Sequence, residues 1–346
     1  YYSLYAFFNS TNEIGTAVYG PDQTPGPSIM LTSAEQQDTI KDLSDYIATL
    51  ESEYVSAYDN ADVSVQVNKT SLESGIRDAL TAHYSFEDVE EIDEEQNATS
   101  ANLIDDKTPA TLNQPIFTEG VSGKAFVVSD YNNASLGKDI GWYDRTDAFS
   151  VELWVKPAKV YDDVSLLLHT EDLRLGFNGY SLHLVDNKIK FLMAHSWPTN
   201  ALQLTSEKAV AANEWSQIIM TYDGSSKANG VKIYLNGEDL TLNSVIDKLY
   251  KSILFEDNIH TYGFAGLQIG KRVKLIPMKD GAIDEIKVYD RALTGLEAKY
   301  RYDRTTLEED SVSILVEEHV KALPPTVTNH ANLLKAGANL ILLLIW

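Results

Sequence analysis

Apolar and polar residues alternate with a period of two through much of the chain from residue 79 to residue 304, the mark of strands with one buried face. Val231, Ile233 and Leu235 point one way, Lys232 and Tyr234 the other, and Asn236-Gly237 follows directly. Both residues of that pair tolerate positive φ, as a tight hairpin turn requires. Phe149, Val151, Leu153 and Val155 alternate in the same way against Ser150, Glu152, Trp154 and Lys156. SLHLV and KIKFLM flank Asp186-Asn187, a second hairpin signal. AHYSFED reads as an opening strand and GKAFVVS as a short one. A loop is expected from about 242 to 264, and LQIGKR and AIDEIKVYD close the series. Many short strands divided by turn signals predict a mainly β chain folded as a two-sheet antiparallel sandwich or jelly roll.

The flanks follow other patterns. Residues 1–32 are aromatic and then Gly/Pro-rich, and read as the tail of a preceding domain and a loop. Residues 33–58 predict an amphipathic helix: Ser33 and Gln36 form a capping box, and Ile40, Leu43, Ile47, Leu50 and Tyr54 recur at helical steps. Residues 59–78 read as polar linker, and 79–304 as the β domain. Thr294 and Glu297 form a second capping box, for a short closing helix. Residues 305–346 predict a helical extension or the start of a following domain, interrupted at Pro324-Pro325.

Composition narrows the function classes. No run of 18 apolar residues exists, and the final LILLLIW is too short to cross a bilayer, so a membrane span is not expected. A formal charge of −23 opposes a nucleic-acid partner, which needs clustered Lys and Arg; it either attracts Ca²⁺ or serves solubility alone. The chain has no cysteine, which excludes disulfides, thiol catalysis and Cys-ligated zinc within it. It opens in mid-pattern without an initiator Met, so a fragment of a longer polypeptide is expected.

Four segments carry a family resemblance: FSVELWVKP, WSQIIMTYDGSS with VKIYLNG, LQIGKR, and GAIDEIKVYDRAL with its capped helix. In order and spacing they resemble a laminin-G-like jelly roll of the concanavalin A-like lectin/glucanase superfamily. GWYDRTDAFSVELWVKP, HSWPTNALQL and YDGSSKANGVKIYLNG are similar to the variant found in large exported, cytochrome-c-linked proteins of planctomycete type. The resemblance implies a sandwich with a concave face and rim loops, in an extracellular or periplasmic bacterial protein. Such modules bind carbohydrate or protein, often beside a calcium ion. The fold alone does not fix the ligand.

The residues themselves suggest where to look. His195, Trp197 and Asn200 share one short loop, where an exposed indole offers a flat apolar face and the Asn a paired donor and acceptor. Trp197 could equally plug the end of the sandwich. Trp142, Tyr143 and Arg145 precede a strand and are expected on the same rim, as ligand contacts or as a brace for the sheet. Trp154 and Trp215 read as packing residues. Simple alternation puts Asp284 on one face with Ile286 and Val288, where a bare carboxylate is costly. It is expected either to accept backbone hydrogen bonds or to ligate calcium, with Asp88 as co-ligand. Seven of the nine residues from Glu87 to Glu95 are acidic, which predicts a solvated loop.

Signals for catalysis are few. The chain lacks G-x-S-x-G, P-loop and G-x-G-x-x-G motifs. Glu152 is a strand carboxylate of the kind glycosidases use in pairs, but the pattern gives it no partner. The seven histidines are scattered, and only His169 and His183 could approach across strands. The expected function is therefore non-catalytic binding of a polysaccharide or glycoconjugate. A docking module for neighbouring domains or proteins is the alternative, and a glycan-degrading enzyme the third reading.

Overall fold

The computed structural model describes residues 69–303 apart from 92–96, 138, 171–175, 256–265 and 271–275, and upstream of these 33–39, 41–43, 45–46 and 49. The segments expected at 1–32 and 305–346 thus lie outside the described residues. Residues 34–39 are helical, and the cap is reciprocal. Ser33 Oγ accepts from the Gln36 amide at 3.2 Å, and Gln36 Oε1 accepts from the Ser33 amide at 2.9 Å. The stretch read as linker ends in a helix, α1 (Lys69–Asp78), whose Leu72 and Ile76 lie four apart on one buried face.

Eighteen strands follow among the described residues. The first seven are short: β1 (Leu80–Tyr84), β2 (Val89–Glu91), β3 (Asn97–Ser100), β4 (Ala110–Asn113), β5 (Phe117–Glu119), β6 (Lys124–Val127) and β7 (Asn133–Leu136). The longer central set comprises β8 (Phe149–Lys156), β9 (Val164–Thr170), β10 (Gly179–Val185), β11 (Lys188–Ser196), β12 (Asn200–Ala209) and β13 (Ser216–Tyr222). Then come β14 (Val231–Leu235), β15 (Glu238–Asp239), β16 (Leu242–Asp247), β17 (Leu267–Gly270) and β18 (Ala282–Tyr289), before helix α2 (Gly295–Tyr302). Both hairpin signals are used. Asp186-Asn187 joins β10 to β11, Asn236-Gly237 joins β14 to β15, and all four residues have positive φ. Trp215 directly precedes β13 rather than lying in it, and strand β16 occupies the start of the stretch expected to be loop.

The strands form two antiparallel sheets. The smaller runs β15-β14-β13-β8-β18-β6-β5, with β1 also paired to β18; the larger runs β16-β12-β11-β10-β9-β17-β7-β4-β3-β2. Their inner faces interdigitate in one core that includes Phe149, Leu153, Tyr180, Phe191, Met220 and Ile286. The outer face of the smaller sheet is covered too. Leu72 and Ile76 of α1 and Leu296, Ala298 and Tyr300 of α2 pack there on Ile219, Tyr234 and Tyr289.

The closing strand departs from simple alternation. Ile283 pairs with Val155 and Asp284 with Trp154, but Lys287 pairs with Glu152, so one residue is extra. Glu285 takes the extra place with φ +51°. This bulge reverses the expected face: Asp284 lies on the side of Trp154 and Glu152, whereas Ile286 and Val288 face the core.

Candidate ligand-binding site

The end of the sandwich where β9 and β11 finish and β10 and β12 begin carries the residues singled out from the sequence. Asn200 opens β12 and is buried; its Oδ1 accepts from the amides of Tyr250 and Lys251 at 3.0 and 3.3 Å. His195 Nδ1 lies 2.7 Å from the Ser252 carbonyl. Asp144 Oδ1 accepts from the Ile253 amide at 2.9 Å, and the Trp142 ring meets Phe255 edge-on at 5.1 Å. These four residues therefore hold the segment 250–255 across the rim. Tyr143 stacks on core Phe149 at 4.6 Å. Arg145 donates to Ser226 Oγ at 2.7 Å, and its carbonyl accepts from the Tyr222 hydroxyl at 2.5 Å. Tyr143 and Arg145 brace the sandwich end.

Trp197 is different. It is half-buried and does not plug the core; it packs with Phe177 and Ile246 on a small cluster of Leu192, Ala194 and Ala201. In β11, Phe191 and Met193 belong to the core, so Leu192 and Ala194 face outward on the larger sheet. The indole N–H donates to Gln203 Oε1 at 2.8 Å, Phe177 meets the ring at 6.1 Å and 77°, and the Trp197 amide donates to the Gly176 carbonyl at 2.7 Å. The indole is thus fixed at its polar edge, with a flat apolar surface at the margin of the outer face.

From Trp197 a row of side chains crosses that face. The strand register aligns Ile246, Gln203, Leu192, Ser181, Leu168, Gln268, Ser135 and Thr111 in successive strands. Gln268 is buried, and its Nε2 has no hydrogen-bond partner among the described residues. Period-two patterning finds each strand but not this row, which depends on register between strands far apart in sequence.

Three carboxylate-centred arrangements bear on chemistry. Glu152 is completely buried under α2. Arg301 donates to both its oxygens, at 2.8 and 2.9 Å, Tyr289 donates at 2.6 Å and Gln217 at 3.0 Å. Burial alone would raise its pKa, but the charge and hydrogen bonds of Arg301, with Lys287 and Tyr289, outweigh burial and hold it below the usual range. Its oxygens are spent on structure. Next, Ser181 Oγ lies 2.9 Å from His183 Nε2, and His183 Nδ1 lies 3.5 Å from Asp163 Oδ1, the order of a nucleophilic triad. Ser181 is only 1% exposed, so no substrate reaches it, and burial keeps His183 neutral by lowering its pKa. His169 pairs instead with Tyr180, three positions away along β10, so the two histidines do not meet.

Asp284 is the third. Its Oδ2 accepts from the Val121 and Ser122 amides at 2.8 and 3.3 Å, and Oδ1 from the Glu285 amide at 2.8 Å. The turn comes this close because residue 120 is glycine; a Cβ there would stand 2.5 Å from Oδ2. Burial pushes the carboxyl up to about 6 in spite of the three amides. Asp88 is exposed, and its carbonyl accepts from the Ala101 amide. No group of three or more His, Cys, Asp or Glu able to hold a metal occurs among the described residues. Asp284 thus accepts backbone hydrogen bonds, the first of the two expectations for it.

Residues 129–299 match the model of the concanavalin A-like lectin/glucanases superfamily. The sandwich carries a concanavalin A-like domain. No curated protein matches the chain. Among solved structures, the binding domain of Paraclostridial Mosquitocidal Protein 1 is 14% identical with a TM-score of 0.48, over 66% of this chain and 53% of that one. The botulinum neurotoxin type G receptor binding domain is 16% identical with a TM-score of 0.43, over 65% and 51% of the two chains. Domain 4 of AbnA, a GH43 extracellular arabinanase from Geobacillus stearothermophilus solved with arabinotriose, is 21% identical with a TM-score of 0.40, over 64% and 96%. The chain spans about half the length of the first two structures. All three scores fall below 0.5, too low a likeness to carry a ligand across. No described helix of the concanavalin A-like domain or its flanks is long and apolar enough to cross a membrane.

Proposed function

We propose that the concanavalin A-like domain is a saccharide-binding module of a larger exported protein. Its ligand is a polysaccharide or glycoconjugate glycan that enters at Trp197. The observation that carries this reading is the fixed indole: N–H on Gln203, edge against Phe177, flat side free of the core. A sugar ring places its C–H face on such a surface and its hydroxyls on neighbouring amides and hydroxyls. Further along the outer-face row, Ser135 is half-buried and Thr111 exposed, so their hydroxyls stand within reach of an extended chain of such rings. The test is affinity electrophoresis of the purified chain in gels containing laminarin, xylan, arabinan, pectic galactan or soluble chitin. Retardation by at least one gel supports the reading, and free migration in all of them, together with a blank glycan array, removes it.

A second reading, a module that docks on protein, has one observation in its favour. Tyr250 and Leu254 stand exposed on the rim segment that Asn200 and Asp144 hold in place.

A further inference from the structure

The open edge of the sandwich, round the corner from Trp197, holds a groove of about 570 Å³. This lies within the roughly 300–1,000 Å³ typical of small-molecule sites. The topology creates it. Strand β16 ends the larger sheet and β15 the smaller, and Leu240-Thr241 carries the chain across between them. Adjacent residues of β16 point to opposite faces: Ile246 joins the Trp197 cluster outside, while Asp247 lines the groove inside. Asp247 Oδ1 accepts from the Ala228 amide at 3.1 Å, which braces one end of the groove.

The lining has two kinds of surface. Leu204, Val231 and Leu240 are buried and form an apolar floor. Asn229, Thr241 and Ser244 stand around it, and their side chains make no hydrogen bond among the described residues. The contrast with the rim is plain, since Asn200, His195 and Arg145 are spent on backbone or hydroxyl partners. Charge selects further. Two carboxylates, Asp239 and Asp247, face one cation, Lys232, which lies 4.0 Å from Asp239. A third carboxylate brought in by a ligand meets repulsion. An extended peptide could add to the free edge of β16, but the register shift opposite Gln203 and Leu204 bends that strand and spoils a regular ladder.

We propose that this groove is a second saccharide site, which takes one or two uncharged sugar rings and discriminates against acidic ones. The assignment of ligand class rests on the saccharide-binding function proposed above; the place and the charge preference are independent of it.

Amide-resolved NMR titration of the chain tests both. The probes are D-glucose, D-galactose, L-arabinose, N-acetylglucosamine, cellobiose and D-glucuronate. At least one neutral sugar is expected to shift the amides of Asn229, Thr241 and Ser244, with glucuronate weaker by about three- to tenfold, the size of a repulsion between solvent-exposed like charges. Thr241→Trp fills the groove from an exposed position and should abolish these shifts; Asn229→Ala and Ser244→Ala, milder changes, should each weaken them about threefold or more. Trp197→Ala should leave them intact. The site is overturned if no sugar in the panel shifts the groove amides, if glucuronate binds as well as glucose, or if only an extended peptide shifts β16. Shifts confined to the surroundings of Trp197 sink the groove and leave the rim site standing. A silent groove with gel retardation lost on Trp197→Ala says the same.

Discussion

Arg301, on the closing helix, grips both oxygens of Glu152 in the middle of β8, at 2.8 and 2.9 Å. The two are 149 residues apart in sequence, and the contact ties the last helix to the centre of the smaller sheet. Removing one partner of a buried pair leaves the other charge bare, which costs about 3–5 kcal/mol. Arg301→Ala is therefore expected to lower the stability measured by urea unfolding by about that much. A paired replacement, Glu152→Gln with Arg301→Met, should cost less than the sum of the single changes. Equal additivity would show that the two side chains do not act together.

Asp284 sets a pH dependence. Its carboxyl holds its proton to about pH 6 in the folded chain and loses it near the ordinary 3.8 when unfolded. Between those values the folded state binds more protons, so this group's contribution to stability falls as pH rises from about 4 to 6. Asp284→Asn cannot ionise and lacks that fall. The stability difference, wild type minus variant, should shrink from pH 4 to pH 7; a constant or growing difference contradicts the assignment.

The same carboxyl bears on metal. Three amides satisfy Asp284, so EDTA is expected to leave the melting temperature of the purified chain unchanged. A fall on chelation, restored by Ca²⁺, would mean that the turn at Val121 and Ser122 rearranges around an ion.

Asn200 anchors the rim segment through two amides. Asn200→Ala leaves both without their acceptor, at about 1–3 kcal/mol if water does not replace it. Hydrogen exchange at Tyr250 and Lys251 should accelerate at least tenfold, while exchange in the core strand β8 changes little. Unchanged exchange would place the hold on the segment elsewhere.

What the sequence made legible was local. Asn236-Gly237 and Asp186-Asn187 announce their turns because the need for positive φ resides in the turn residues themselves. Thr294 and Glu297 announce the reciprocal cap of α2 for the same reason, with Thr294 Oγ1 and the Glu297 carboxylate each accepting from the other's amide. Facing was less legible. One extra residue at Glu285 reversed the side on which Asp284 lies, and period-two reading cannot register a bulge. Glu152 looked like a lone carboxylate because its partners Arg301, Tyr289 and Gln217 are distant in sequence. Asn200, His195 and Arg145 have the chemistry of ligand contacts, yet the fold brings backbone or hydroxyl groups to them. The groove at β16 was invisible, since its walls come from both sheets and its strand was read as loop.

The most direct test of saccharide binding at the rim compares wild type with Trp197→Ala in the gel that retards the wild type most. The indole sits on a small outer cluster and not in the main core, so the variant is expected to stay folded, with an unchanged far-ultraviolet spectrum and a stability loss below about 2 kcal/mol for a half-buried site. Saccharide binding at the indole predicts that a folded Trp197→Ala protein loses at least about tenfold in affinity, the share expected of one central aromatic contact. Retardation equal to wild type by a folded Trp197→Ala protein would contradict it.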